Sequence, residues 1–214
     1  MCGRYYNFIS TNELSYLSNS EIIEDYKNFN IVPTSEIAIL IDNQIINAKW
    51  GFYPNWLKEI KDSKPLINAR LETILEKKTF KTPFIKRRCI ILMSGWYEWK
   101  QEGESKIPYA FFKENNKAIK AAGIYNKRSD ESIEVCILTK NASPHLKDIH
   151  ERMPVILTEE LLNTWHDYET DPKYLKDQLN LETNDIHYHR VDIAVNNPKN
   201  NNDNLYKKYT ELPF

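Results

Sequence analysis

Five short runs rich in β-branched and aromatic residues follow one another at 88–93, 96–100, 107–112, 119–125 and 133–139, with turn residues between them. That succession leaves no room for crossover helices, so it demands mostly antiparallel pairing. Upstream, Glu-Ile-Ala-Ile-Leu-Ile at 36–41 and Ile-Ile-Asn-Ala-Lys-Trp at 45–50 flank Asp42-Asn43 and read as a hairpin. A last strand is expected at 186–191. Short helices fit around these strands. Ser10-Thr11-Asn12-Glu13 is a capping-box pattern opening a helix over 11–18. Asn68 is placed to cap one over 69–77, and Ser143-Pro144 opens another. Thr158 precedes one over 159–166, and Asp171-Pro172 starts one running to about 179. The expected fold class is α+β, with mixed, mostly antiparallel sheets forming a barrel-like core and short peripheral helices. No repeat or composition break divides the chain, so a single domain over 1–214 is expected. Its Asn- and Lys-rich last fifteen or so residues would be loose or wrapped on the surface.

With 41% hydrophobic and 12% aromatic residues, the chain can bury a sizeable core and is not a disordered segment. Twenty-nine basic residues stand against 30 acidic ones, a formal net charge of −1. This excludes a uniformly basic nucleic-acid coat but not a local basic groove. Cys2, Cys89 and Cys136 form no CxxC pair and no zinc spacing. An odd cysteine count, with no signal-like start, points to a reducing cytoplasm. No stretch approaches the roughly 18 apolar residues of a membrane span, and no GxGxxG or Walker pattern occurs.

Five segments could carry chemistry. Removal of Met1 would leave Cys2 with an α-amine and a thiol on adjacent carbons. Such a 1,2-aminothiol traps aldehydes, because the amine forms a Schiff base and the thiol closes it to a thiazolidine. The amine's reference pKa near 8 leaves part of it neutral at cellular pH. An N-terminal cysteine can also be the nucleophile of amide chemistry, or Cys2 can simply be a small residue starting the first strand. In Asn68-Ala69-Arg70-Leu71-Glu72-Thr73, Arg70 suits a phosphate contact; the plainer reading is a capped helix with a surface ion pair. In Gly95-Trp96-Tyr97-Glu98-Trp99, an extended backbone puts Glu98 and Trp96 on one face, with Tyr97 and Trp99 on the other. A carboxylate among aromatics has its pKa raised and can move protons, unless it sits exposed on an edge. His150, before Glu151-Arg152-Met153-Pro154, is the histidine best placed for proton transfer. The aromatic loop Trp50-Gly51-Phe52-Tyr53-Pro54-Asn55-Trp56 can stack on unpaired bases or anchor itself in the core.

These segments occur in one order together with Met-Cys-Gly-Arg-Tyr at 1–5, Asn-Ile-Val-Pro at 30–33, Arg-Arg-Cys-Ile-Ile at 87–91 and Ala-Ala-Gly-Ile-Tyr at 121–125. The set closely resembles the SOS-response-associated peptidase (SRAP) family over about residues 1–200. The resemblance implies a compact domain with a barrel-like core and a positively charged groove for single-stranded DNA. It implies that the cysteine made N-terminal crosslinks to the ring-opened aldehyde of an abasic site, with no metal and no cofactor. By matching position it implies Cys2 as the crosslinking nucleophile. Asn68 would bond the N-terminal residue or the opened sugar, Glu98 would move protons, and His150 would assist ring opening. Arg4, Arg70 and Arg152 would hold phosphates, and Trp50 and Trp99 would stack on bases. The expected partner is single-stranded DNA containing abasic sites, bound by a monomer in a bacterial cytoplasm at the nucleoid. A thiol peptidase acting on other proteins and a noncovalent reader of single-stranded or modified DNA are the alternatives. The chain departs from the family in having only seven arginines and in carrying Lys81 where many relatives would have arginine.

Overall fold

The computed structural model describes residues 2–9, 27–54, 57 and 62–210. In chain order its strands are β1 (Tyr5–Asn7), β2 (Asn28–Ile31), β3 (Glu36–Ile41), β4 (Gln44–Trp50), β5 (Asn68–Arg70) and β6 (Arg88–Met93). There follow β7 (Gly95–Glu102), β8 (Ser105–Lys113), β9 (Ile119–Lys127), β10 (Ile133–Asn141), β11 (Arg152–Pro154) and β12 (Ile186–Arg190). Three α-helices lie among the described residues: α1 (Lys78–Lys86), α2 (Glu159–His166) and α3 (Pro172–Leu179).

Five strands close a barrel in the order β4-β3-β6-β9-β10. Its seam is the parallel pairing of β10 with β4, through Glu134 opposite Lys49 and Val135 opposite Trp50. The β3–β4 turn places Asp42 at φ 48° and Asn43 at φ 60°, the left-handed pair that a two-residue hairpin of this twist requires and that these two residue types tolerate. A second, wholly antiparallel sheet runs β12-β8-β7-β1-β2.

The strands lack clean alternation because both faces are covered. In β6, Cys89, Ile91 and Met93 point to the core shared by the barrel and the second sheet, with Cys2, Tyr5, Trp96 and Phe111. Ile90 and Leu92 point to an outer layer built with Phe84 of α1, Trp165 of α2 and Leu175 of α3. The far face of the second sheet, Tyr6, Tyr97 and Ala110, is covered by Val191, Val195 and Leu205. The chain after Asn196 therefore wraps rather than hangs loose: Asn30 Nδ2 donates to Asn197 O and Asn200 O, and Tyr206 stacks on Tyr6 at 5.3 Å.

Most expected strands fall where the sequence puts them, and α2 and α3 match their expected bounds. The Asp171 carboxylate caps α3 by accepting from Lys173 N and Tyr174 N. Three expectations need correction or restriction. Residues 69–77 are not a helix. Asn68–Arg70 instead extends along the edge of β10 that β4 leaves vacant, pairing in parallel with Ile137–Thr139, and only a 3-10 turn over Leu71–Thr73 follows. A tertiary pairing partner overrides the local cap signal. Ser143-Pro144 opens a single 3-10 turn, Pro144–Leu146, rather than a helix. The helix expected at 11–18 lies outside the described residues.

Candidate active site

The stretch leading into β1 threads between the barrel and the second sheet. Cys2 is wholly buried, in one apolar cluster with Tyr5, Trp50 and Trp96. Asn68 Nδ2 donates to Cys2 O at 2.8 Å. Its position is set by β5 pairing and by Trp50, whose indole N–H donates to Ile67 O at 3.0 Å. On β7, the Tyr97 N–H donates to Arg4 O at 2.9 Å, tying the chain entry to the strand that carries Glu98. Gly95 is required at the head of that strand, since a Cβ there would lie 2.2 Å from both Tyr6 Oη and Phe111 O.

The alternation expected for 95–99 holds. Trp96 faces the shared core, while Tyr97 and Trp99 belong to the opposite layer. Glu98 is only 3% exposed. Burial lifts its carboxyl to about 7, the middle of the range in which a group can both give and take a proton. His150 Nε2 stands 3.6 Å from Glu98 Oε2. The Arg152 backbone N–H donates to His150 Nδ1 at 3.0 Å. The Arg152 carbonyl lies 3.2 Å from the same nitrogen; the shorter contact comes from a group that can only donate, and a hydrogen on Nδ1 would be driven against it, which favours the tautomer with the proton on Nε2, toward Glu98. Burial also lowers the His150 pKa, which keeps the ring neutral. The Cys2 thiol is pushed well up by burial, with the Glu98 charge adding to the effect, so it is held as a thiol and not a thiolate.

A cleft of about 450 Å³ opens here, lined by Glu98, Trp99, Lys106, His150 and Asn196. A larger cleft of about 690 Å³ lies between α1 and the β9–β10 turn, with Lys78, Arg87, Lys127 and Arg128 in its walls. It holds cations and hydroxyls but no cysteine, histidine or carboxylate, whereas the smaller cleft has both a carboxyl and an imidazole in its walls. Besides Arg88 Nε in the outer layer, buried side-chain atoms with no hydrogen-bond partner among the described residues include Asn68 Oδ1, Arg4 Nε, Trp96 Nε1 and Arg152 Nε. Unsatisfied buried groups are costly, and their concentration along the segments that meet at Cys2 is what a site shaped for a ligand carries.

The structure brings Cys2, Asn68, Glu98 and His150 together. It treats the residues expected to touch DNA differently from one another. Arg70 is exposed at the end of β5 and is not among the residues lining the cleft. Trp99 is half-buried beside the cleft, its indole N–H donating to Asn196 Oδ1 at 2.7 Å. Trp50 is corrected to a core residue: with no exposure at all, its ring offers no face to a base. Arg4 Nη1 is committed to Asn30 Oδ1 and Val195 O, with its guanidinium 5.7 Å from the Trp99 ring centroid. Arg152 is committed to Glu72, Asn141 and Thr139. Sequence reasoning did not single out Asn30, Glu72, Lys106 or Asn196. The first two stand inside motifs already quoted, but nothing in their local context shows which distant arginine each one grips. No group of three or more metal-ligating side chains occurs among the described residues, and none of their helices is long and apolar enough to cross a membrane.

A barrel closed by a parallel seam, with a buried cysteine at residue 2 between an asparagine and a Glu–His pair, defines a recognisable class. Residues 1–198 match the SOS response associated peptidase (SRAP) family, and the chain belongs to it. Among its relatives is abasic site processing protein YoqW of Bacillus subtilis, 33% identical over 98% of this chain and the whole of the relative. Another is abasic site processing protein YedK of Escherichia coli, 30% identical over 94% of this chain and 96% of the relative. The fold matches a crystal structure of a Bacteroides thetaiotaomicron protein with a TM-score of 0.82, at 23% identity over 96% of this chain and all of the other.

Proposed function

We propose that this protein captures abasic sites in single-stranded DNA covalently, through Cys2 made N-terminal by removal of Met1. The observation that carries the reading is the meeting of the Cys2 main chain, held by Asn68, with the buried Glu98 carboxyl and with His150, whose Nε2 stands 3.6 Å from it. In the ring-opened sugar, the aldehyde carbon accepts the Cys2 amine, and a C–N bond forms. The carbinolamine oxygen then leaves as water with a proton supplied by Glu98, giving the iminium. The Cys2 thiol adds to that carbon. The C–S bond forms as the C=N π pair becomes the ring nitrogen's lone pair, and the thiol proton returns to the Glu98 carboxylate. The net change is loss of one water, with no oxidant or reductant. His150, donating from Nε2, assists ring opening at the sugar oxygen, and the unpartnered Asn68 Oδ1 accepts from a sugar hydroxyl.

The protonated state of the thiol favours this order over a peptidase. A thiol peptidase needs thiolate character to attack an amide, whereas closing a thiazolidine needs only a thiol beside an iminium already formed. The names of the YoqW and YedK relatives point to the same lesion. The test uses purified protein whose intact mass lacks Met1, mixed with a single-stranded oligonucleotide holding one abasic site. A slow band on a denaturing gel is expected from the wild type and none from Cys2→Ala. A band that survives Cys2→Ala, or none from folded protein with a free Cys2, contradicts the reading.

A further inference from the structure

We infer that Glu72 is a positioning residue for His150, acting through Arg152 to fix which imidazole nitrogen carries the proton that faces Glu98. The inference rests on the proposed function for its kinetic consequence but not for its structural content. Glu72 lies in the 3-10 turn immediately after the strand that carries Asn68. Its carboxylate grips Arg152 fork to fork, Oε1 on Nη1 at 2.6 Å and Oε2 on Nη2 at 2.9 Å. The same Oε1 accepts the Asn141 backbone N–H at 3.1 Å, and Lys176 of α3 donates to the Glu72 carbonyl at 2.7 Å. Arg152 spends its remaining terminal donors on Asn141 Oδ1 and Thr139 O.

The ends of β5, β10 and β11 are thus locked to one guanidinium. Bidentate arginine–carboxylate pairing fixes direction as well as distance. What it fixes here is the residue whose own backbone N–H reaches back to His150 Nδ1. The Arg152 N–H meets Nδ1 at 3.0 Å and the Arg152 carbonyl stands 3.2 Å from it; a hydrogen on Nδ1 would be driven against the N–H, so this clasp places the proton on Nε2. If the Arg152 backbone turns away, the ring can take either tautomer, and the hydrogen facing Glu98 is lost in part of the population. Burial acts to lift the Glu72 carboxyl, but Arg152 together with the backbone N–H groups of Glu72 and Asn141 holds it below its ordinary value, so the lock stays charged at neutral pH. This assigns Glu72 to the site although it touches none of the reacting atoms.

The test is nitrogen NMR of protein carrying 15N-labelled histidine, read alongside single-turnover trapping of the abasic oligonucleotide. Wild-type His150 is expected as one neutral tautomer, protonated on Nε2. Glu72→Ala is expected to give a mixture of tautomers and to slow trapping about ten- to a hundredfold, as small misplacements of catalytic groups do, with strand affinity changed less than about twofold. Glu72→Gln, which keeps the shape and an acceptor but not the charge, should fall between the two and carries the same test where Glu72→Ala does not fold. A folded variant with lowered thermal stability, an unchanged Nε2–H tautomer and an unchanged rate would overturn the inference, because that is what a merely structural ion pair would show. Failure of the wild type to trap DNA would count against the proposed function, while the tautomer comparison would still decide the role of Glu72.

Discussion

Glu98 shows at the scale of one residue how function is held against stability. Its carboxyl titrates near 4.5 in an unfolded chain and near 7 in the fold. A raised carboxyl pKa means the folded state binds the proton more tightly, so its stabilising share is complete below about pH 4.5 and is lost as pH rises through 7. Glu98→Gln removes that loss. The variant is expected to be more stable than the wild type at pH 8, by up to about 3 kcal/mol, and the difference should vanish near pH 4.5. Urea unfolding at the two pH values checks it. The same substitution should slow trapping about a hundredfold or more and erase the inflection near pH 7 in its rate. Equal stability of the two proteins at pH 8 would mean that Glu98 ionises without cost and that its environment has been misjudged.

Individual elements show where local sequence signals suffice. Asp171-Pro172 combines an N-cap acceptor with a pre-set first helical residue, both purely local, and α3 begins there. Asp171→Ala should cost about 1 kcal/mol, lowering the thermal midpoint while leaving the trapping rate unchanged; a changed rate would tie α3 to the site more tightly than its Lys176 contact implies. The Asp42-Asn43 hairpin and the Trp96/Glu98 alternation were legible for the same reason. Residues 68–73 were not. Asn68 followed by a helix-compatible run is a correct local signal overridden by the free edge of β10, nearly seventy residues later in the chain. That misplaced element carries both Asn68 and Glu72, so the candidates Cys2, Glu98 and His150 were visible in the sequence, but the geometry that gathers them was not. The role of Trp50 failed similarly: an aromatic near glycine and proline fits a stacking loop, and only the packing of β4 against Tyr5, 5.3 Å away, shows it to be core.

Over the whole molecule, charge is nearly balanced, and two of the three arginines expected at phosphates are tied to partners inside the protein, Arg4 through Nη1 and Arg152 through both terminal nitrogens. Under the proposed function, phosphate contact would fall to Arg70 and to lysines such as Lys106, and noncovalent affinity should be modest. With about three phosphates neutralised, the slope of log affinity against log salt should be near −2 for a single strand. Fluorescence anisotropy on the Cys2→Ala protein measures it free of crosslinking. Arg70→Ala should bring the slope toward −1, whereas Arg152→Ala should act through stability and His150 rather than through the slope. An unchanged slope in Arg70→Ala would move the strand's path away from β5, and the cation-lined cleft beside α1 would be the next surface to test.

The central claim concerns the bond itself, and the intact mass of the adduct tests it most directly. Protein lacking Met1, incubated with an abasic single-stranded oligonucleotide and no reductant, should give a species whose mass is the sum of the two less one water, stable to denaturation. An adduct that appears only after borohydride reduction would show a Schiff base that the Cys2 thiol never closes, and no adduct at all would remove covalent capture from this protein.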